Sequence, residues 1–392
     1  MSENTANVIY LDNAATSWPK PPVVGEAMSH FLAQEAANPG RAGHRMAIAA
    51  EKMLDNVRKT LTEFIGGTDI HRMVFAMNGT DALNIAFKGF LRQGDHVITS
   101  TLEHNSVSRP LQAMADSGFI KLTRVDFSPQ TGVIDPADVA AALTPHTRLI
   151  AITHASNVLG TIQPIRDIGR IARQHGTRFL VDAAQTIGVV PIHVVDDGID
   201  FLAFPGHKSL LGPTGTGGLY ISTTVDLDEL KAFREGGTGG DSGSPTQPRL
   251  MPYFLEGGTP NTVGICGLGA STRYVAANNS AKTLQHERDL VQKFIDAATE
   301  IDQLTIYGPT GTHAADNRVG TVSFNLTSYS PQELGSILDD SFGIAVRPGL
   351  HCSPYAHKTL GTFPDGAVRV SPGHFSTSEQ IDQLLAALRE VG

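Results

Sequence analysis

The chain has 392 residues, of which 41% are hydrophobic and 18% are charged, a balance typical of a globular protein of about two domains. Its formal net charge of -9 argues against a general attraction to nucleic acid or to an anionic membrane, so we expect a small-molecule partner. Two cysteines are too few for a disulfide framework, the first residues do not resemble a secretory signal, and no apolar run approaches the roughly 18 residues of a membrane helix, which together predict a reduced, cytoplasmic protein.

Apolar runs typical of strands alternate with amphipathic stretches typical of helices up to about residue 260. In chain order the predicted elements are a strand at 72–77, a helix at 79–92, strands at 95–100 and 147–153, a helix at 164–176, and strands at 177–184 and 199–204. This alternation predicts a mostly parallel sheet with helices on its faces.

The pattern then changes to long helices, at 281–301 and 376–391, around strands at 318–326, 344–347 and 367–371. We therefore predict a large α/β domain of residues 16–262 and a smaller α+β domain of residues 263–392, joined by residues 1–15. The tract at 234–254 is rich in Gly, Ser and Pro and is predicted to form a long surface loop.

Polar residues follow three of the predicted strands. Asp182 ends one apolar run, Lys208 follows another in "AFPGHKSLLGPTGTGG", and Gly79 with Thr80 begins a helix that offers N–H groups and a hydroxyl to an anion. Taken singly, Asp182 is also compatible with a helix cap and Lys208 with a solvated loop. Because open α/β sheets bind ligands beyond the carboxyl ends of their strands, we expect these groups to share one cleft. Pyridoxal phosphate uses all three, and the glycines would allow the backbone to approach its phosphate.

At these motifs the sequence resembles the class V aminotransferase family, and within it the short-loop cysteine desulfurases and selenocysteine lyases. The resemblance covers nearly the whole chain and is carried by "YLDNAATSWP", "LEHNS", "ASNVLGT", "VDAAQ", "GHK" with "GPTGTGGLY", "GGTPN", "RPGLHC" and "VRVSPGHFSTSEQID". It implies pyridoxal phosphate (PLP) fold type I, with a large mostly parallel sheet of the seven-stranded type, helices on both of its faces, a smaller α+β C-terminal domain, and a homodimer.

The resemblance implies that Lys208 forms the Schiff base with the cofactor and that Asp182 pairs with the ring nitrogen. The other cofactor contacts that it implies are Gly79, Thr80 and His207 at the phosphate, Thr259 at the phosphate from a second subunit, His104 stacked on the ring, Asn157 beside it and Gln185 at the phenolic oxygen, and Asp81 is a further candidate for cofactor binding. His104 is also compatible with a plain capping role. Pro205 stands where relatives commonly carry a hydroxyl residue, so we expect either weaker cofactor binding or compensation by a neighbouring group.

The two cysteines differ in their sequence surroundings. Cys266 lies among small apolar residues and is predicted to be a core residue. Cys352 lies between His351 and His357, where a nearby imidazole can favour the thiolate, although a purely structural loop cysteine is the alternative. The resemblance makes Cys352 the nucleophile that takes sulfur from the substrate.

Four residues are candidates for substrate binding. The resemblance implies that Arg369 holds the substrate α-carboxylate, a task suited to a guanidinium, and that Arg347 lies near the nucleophile loop. Arg41 and His44 match an N-terminal segment that the family brings to the site. We expect no metal.

The sequence therefore predicts a PLP-dependent cysteine desulfurase that converts L-cysteine to L-alanine and holds the sulfur on Cys352 as a persulfide, with a sulfur-acceptor protein as a possible partner. A selenocysteine lyase or another cysteine-derivative lyase would use the same cofactor residues. A class V transaminase would not need Cys352, and a non-catalytic dimeric scaffold would need neither Lys208 nor Asp182.

Overall fold

The computed structural model describes residues 8–40, 43–238 and 243–392. The helices in these ranges are α1 (Pro22–Gln34), α2 (Arg45–Phe64), α3 (Gly79–Phe90), α4 (Asn105–Asp116), α5 (Pro136–Ala141), α6 (Ile165–His175), α7 (Thr262–Ala277), α8 (Ser280–Ala298), α9 (Pro331–Phe342), α10 (Pro354–Thr359) and α11 (Ser378–Val391). The strands are β1 (Ile9–Tyr10), β2 (Met73–Ala76), β3 (His96–Ser100), β4 (Lys121–Val125), β5 (Thr147–Thr153), β6 (Arg178–Asp182), β7 (Phe201–Pro205), β8 (Gly217–Ile221), β9 (Leu304–Tyr307), β10 (Val322–Leu326), β11 (Ile344–Ala345), β12 (Arg347–Gly349) and β13 (Ala367–Val370).

The large sheet has seven strands in the order β2-β8-β7-β6-β5-β3-β4. The strands from β7 to β4 pair in parallel, whereas β8 runs antiparallel to both of its neighbours. The predicted mostly parallel sheet is confirmed.

The buried strands send alternate side chains to two separate cores. In β5, Ile150 and Ile152 join one core while Leu149 and Ala151 join the other, because successive side chains of a strand point to opposite faces. Helices α2 and α6 cover the first face, and α3 covers the second. Each fully buried large apolar side chain contributes about 1.5–3 kcal/mol to the free energy of unfolding. Because both faces of the sheet are covered, its strands appear in the sequence as continuous hydrophobic runs.

Two glycines of the tract after Lys208 lie inside β8 rather than in a turn. A Cβ on Gly217 would lie 2.6 Å from the carbonyl oxygen of Phe204, and one on Gly218 would meet the Phe204 ring. These glycines therefore permit close strand packing, which differs from the role at the phosphate that the sequence suggested.

A second, antiparallel sheet has the order β12-β13-β10-β9 and packs with α8, α9 and α11. Strand β1 pairs in parallel with β11. The predicted strand at 344–347 is divided, since β11 pairs with β1 while β12 forms an edge that tolerates Pro348. The predicted domain boundary at 262/263 stays a prediction, and Ile265 and Leu268 of α7 pack in the core of the large sheet.

The tract at 234–254 contains neither helix nor strand in its described part, residues 234–238 and 243–254. Across the three described ranges of the chain, none of the helices combines the length and the apolar character needed to cross a membrane.

Candidate active site

A cavity of about 210 Å³ lies beyond the carboxyl ends of β5, β6 and β7, where an open α/β sheet binds its ligands. The predicted site residues that line it are Gly79, Thr80, His104, Asn157, Asp182, Gln185, His207, Lys208, Arg347 and Arg369. Strand ends from distant parts of the sequence thus converge on one place.

A larger cleft of about 1030 Å³ opens at the opposite edge of the sheet. Its Arg148 and Arg178 form ion pairs with the carboxylates Asp95, Asp200 and Glu229. These two arginines of the larger cleft are thus already paired with carboxylates. Because the predicted residues line the smaller cavity, we assign the active site to the smaller cavity.

The pKa values of Lys208 and Asp182 are shifted in opposite directions. Burial, aided by the charge of Arg369 and opposed by that of Asp182, lowers the pKa of Lys208 to about 8. Burial raises the pKa of Asp182, against a hydrogen bond of 2.9 Å from the Ala184 N–H and the charge of Lys208. A positively charged ring nitrogen beside Asp182 would favour its ionised form.

His207 is a neutral imidazole at the cavity wall. Burial, aided by the charges of Lys208 and Lys20, lowers its pKa to about 4. Charge on His207 therefore does not account for the lowered pKa of Lys208. The cations that lower the pKa of Lys208 are Arg369 and Arg347.

The anion end of the cavity lies at the start of α3. Gly79 and Thr80 line the cavity, and the Thr80 hydroxyl lies 2.7 Å from that of Ser106, which also lines it. Ser106 is a candidate residue that was not predicted from the sequence, and it offers the hydroxyl that Pro205 lacks. Asp81, by contrast, pairs with Arg234 at 3.0 Å and lies outside the lining.

His104 both caps a helix and lines the cavity, so it can fill the capping role and the cofactor-stacking role that were considered from the sequence. Its Nδ1 accepts a hydrogen bond of 3.0 Å from the Ser106 N–H and so caps α4, while the ring lines the cavity. Burial and the charge of Lys208 lower its pKa to about 3, so the ring is neutral. The preceding Glu103 ties β3 to β5 through hydrogen bonds from the Ser100 hydroxyl and the Thr153 N–H.

Arg369 is held from two directions. It donates to Asp12 Oδ1 at 2.7 Å and to the Asn157 carbonyl at 3.0 Å. Asp12 lies in the motif "YLDNAAT" but was not predicted as a site residue. Gln185 also contacts this N-terminal segment, since its amide donates to the Ala14 carbonyl at 3.1 Å.

Cys352 lies in a groove that shares Thr80, His104 and Ser106 with the cavity and therefore adjoins its mouth. The Nη2 atom of Arg347 lies 3.7 Å from its sulfur. Burial lowers the pKa of His351 well below its ordinary value and that of His357 to about 4. The cation beside the Cys352 sulfur is thus Arg347, whereas the two imidazoles expected in this role are neutral.

Three further residues considered in the sequence, Thr259, His44 and Cys266, do not line the cavity. Thr259 is exposed, and His44 is exposed at the N-cap of α2, where it accepts from the Ala47 N–H. Arg41 lies outside the described residues. Cys266 is partly buried, with its sulfur 3.7 Å from the Ala27 carbonyl.

The residues present fit pyridoxal phosphate. Among the described residues, the buried His207 Nδ1 and Arg369 Nε have no hydrogen-bond partner, so both remain available to a ligand. Both residues line the cavity together with a lysine of lowered pKa, a buried carboxylate and a helix N-terminus.

The lowered pKa of Lys208 predicts how cofactor-free protein captures the cofactor. Only the neutral amine attacks an aldehyde, so the capture rate is expected to rise about tenfold per pH unit below pH 8 and to level off above it. Stopped-flow absorbance after mixing with pyridoxal phosphate measures this rate. A rate that continues to rise up to pH 10 would contradict the lowered pKa.

The comparisons with known proteins identify the family of this chain. The family model of the class V aminotransferases matches residues 9–384. A probable cysteine desulfurase of Methanothermobacter thermautotrophicus is 36% identical over 98% of this chain and 94% of its own length, and a cysteine desulfurase of Salmonella choleraesuis is 34% identical over 99% and 94%.

Among solved structures, the apo cysteine desulfurase of Thermococcus onnurineus NA1 matches with a TM-score of 0.91 at 33% identity, over 99% of this chain and 95% of that one. The cysteine desulfurase CsdA of Escherichia coli matches with a TM-score of 0.86 at 26% identity, over 98% and 94%. With its family model matched over nearly its whole length, and with relatives above 30% identity, this chain belongs to the class V aminotransferase family.

Proposed function

We propose that this protein is a pyridoxal-phosphate-dependent cysteine desulfurase that converts L-cysteine to L-alanine and takes the sulfur onto Cys352 as a persulfide. The observation that carries the proposal is the position of Cys352, next to Arg347 and in a groove that adjoins the cavity lined by Lys208 and Asp182. The names of the relatives support it.

Pyridoxal phosphate, when bound, supplies an electron sink that makes the substrate Cα proton acidic and weakens the Cβ–S bond. Asp182 would hold the ring nitrogen, and Gln185 and Asn157 would lie at its edge. Thr80, Ser106 and His207 would hold the phosphate with the first N–H groups of α3.

Lys208 is the base that we assign to the Cα proton. With a pKa of about 8, roughly a tenth of its side chains are neutral at pH 7, against about one in two thousand for an ordinary lysine. Arg369 would bind the substrate carboxylate, and its contacts to Asp12 and Asn157 keep the guanidinium in place before the substrate arrives.

The thiolate of Cys352 then attacks the substrate sulfur. An S–S bond forms as the Cβ–S bond breaks, and the electrons of the broken bond stay on the carbon, which takes up a proton to become the methyl group of alanine. Since this step needs a reduced thiol, we propose a reducing compartment such as the cytoplasm and a thiol-bearing protein or small molecule as sulfur acceptor.

A panel of amino acids tests this function. We expect equal amounts of alanine and reducible sulfur from L-cysteine, and no amino-group transfer to a keto acid. Turnover of selenocysteine with none of cysteine would favour a lyase, and transfer of the amino group to keto acids would favour a transaminase.

We further propose a homodimer whose partner subunit completes the phosphate site. Thr259 is exposed and outside the cavity lining of its own protomer, and large apolar side chains are exposed as well, among them Leu32, Met46, Met77 and Leu250. We expect the partner subunit to cover part of this exposed surface.

Replacement of Thr259 by alanine is expected to weaken cofactor binding about tenfold, the scale of one hydrogen bond to a charged group. Equilibrium dialysis measures the affinity and light scattering the mass, with Thr223→Ala at an exposed site as the control. A stable wild-type monomer with full cofactor occupancy would rule out the shared site.

A further inference from the structure

The nucleophile lies in a turn with an unfavourable backbone conformation. The Ser353 N–H donates to the Leu350 carbonyl at 2.9 Å, and the two residues between them, His351 and Cys352, have φ values of 50° and 58°. Side chains other than glycine disfavour this left-handed region, at a cost of about 1–3 kcal/mol per residue. The surrounding structure must therefore hold the turn.

Part of this support comes from groups at the cavity. The Asn157 amide donates to the His351 carbonyl at 2.6 Å and accepts from the Ser353 hydroxyl at 2.7 Å. The Asn105 N–H donates to the Cys352 carbonyl at 2.7 Å. These contacts hold the backbone of the turn on both sides of the Cys352 side chain's attachment point, at the His351 and Cys352 carbonyls and the Ser353 hydroxyl.

The other part of the support is a series of hydrogen-bonded side chains that starts at His351 and runs through His357 to Thr362. His351 Nε2 lies 2.9 Å from the Arg347 carbonyl, His351 Nδ1 lies 3.3 Å from His357 Nε2, and His357 Nδ1 lies 2.7 Å from the Thr362 hydroxyl. His357 is fully buried and lines neither the cavity nor the groove at Cys352.

The Arg347 carbonyl decides which atom donates in each of these hydrogen bonds. A carbonyl only accepts, so His351 Nε2 carries the proton and, in the neutral ring, Nδ1 is an acceptor. His357 Nε2 must then donate to it, which leaves His357 Nδ1 to accept from the Thr362 hydroxyl. The three side chains form a one-directional set of hydrogen bonds that ends at the backbone next to Cys352.

We propose that His357 and Thr362 are positioning residues for sulfur abstraction: through His351 they hold the left-handed turn that keeps the Cys352 thiol beside Arg347. This inference rests on the proposed function, in which Cys352 is the nucleophile. Neither residue touches the substrate, so their loss affects the step at sulfur and leaves the chemistry at Cα unchanged.

Two measurements on the holoenzyme separate these steps. Exchange of the Cα proton of L-alanine for deuterium from solvent uses Lys208 and the cofactor but not Cys352. Alanine formation from L-cysteine uses all three. We expect His357→Leu to lower kcat for alanine formation by about ten- to a hundredfold, the scale of a misplaced reacting group, with deuterium exchange within about twofold of wild type.

Two variants and a control complete the test. His357→Gln restores a donor to His351 Nδ1 and should recover most of the lost kcat, while Thr362→Val, which keeps the shape but removes the hydroxyl, should lose about threefold or more. The control is Thr359→Val, on the same helix as His357, α10, and its kcat is expected to match that of the wild type. If His357→Leu does not fold, Thr362→Val carries the test.

The proposal is overturned if folded His357→Leu or Thr362→Val keeps wild-type kcat, if His357→Gln is as impaired as His357→Leu, or if deuterium exchange falls in parallel. A wild-type protein that exchanges the Cα proton but yields no alanine from cysteine would overturn the proposed function, and this inference with it.

Discussion

Replacement of Cys352 by serine is expected to lower alanine formation from L-cysteine by at least about a hundredfold, the scale of an essential catalytic group. A serine hydroxyl is far less nucleophilic toward sulfur and cannot carry a persulfide. Because Lys208, Asp182 and Arg369 remain in place, the variant should retain the absorbance of the bound cofactor and the spectral change on adding cysteine.

The matched control for this variant is Cys266→Ser. Cys266 is partly buried, lies outside the cavity lining and contacts the Ala27 carbonyl, so its replacement should leave turnover unchanged. Near wild-type turnover by Cys352→Ser would instead make Cys352 a structural loop residue. If that variant lost cysteine turnover but kept selenocysteine turnover, a lyase would be the better assignment, since selenium leaves with less help.

Replacement of Lys208 by alanine is expected to lower turnover by at least about a thousandfold, because both the covalent attachment of the cofactor and the base for the Cα proton are lost. The direct measurement is reduction of the wild-type holoenzyme with borohydride followed by peptide mapping. The pyridoxyl group should be found on Lys208.

Lys20 is the informative competitor in that experiment. Burial also lowers its pKa to about 8, but its Nζ atom donates at 2.7 Å to both the Ser17 hydroxyl and the His207 carbonyl, and it does not line the cavity. Lys20→Arg should therefore retain the cofactor bond to Lys208. A pyridoxyl group on Lys20 or on any other lysine would show that the site is wrongly assigned.

The features predictable from the sequence are those that depend on local pattern. Apolar runs such as 147–153 indicated buried strands because residues of both faces are hydrophobic, and polar residues at strand ends, such as Asp182, indicated the binding edge of the sheet. The family model and the relatives confirm the family that the motifs suggested.

Features that depend on distant contacts were not predictable in the same way. Asp12 and Arg369 are 357 positions apart in the chain, so their pairing requires the folded structure. Ser106 was part of a recognised motif, but only its hydrogen bond to Thr80 shows a hydroxyl at the cavity.

The surroundings of Cys352 show why proximity in sequence can mislead. His351 is its neighbour in the chain, yet the turn directs the imidazole to His357 and to the Arg347 carbonyl, where it stays neutral. The guanidinium beside the sulfur comes instead from β12. Burial and backbone conformation decided these roles, and neither is visible in the spacing of the residues.

Mass spectrometry of the protein after brief exposure to L-cysteine, without reductant or sulfur acceptor, tests the central claim most directly. Peptide mapping under non-reducing conditions should find one additional sulfur atom on the peptide that contains Cys352, and none on the peptide that contains Cys266, together with one alanine released per protomer. Alanine released without added sulfur on Cys352, or with the added sulfur on Cys266, would contradict the account.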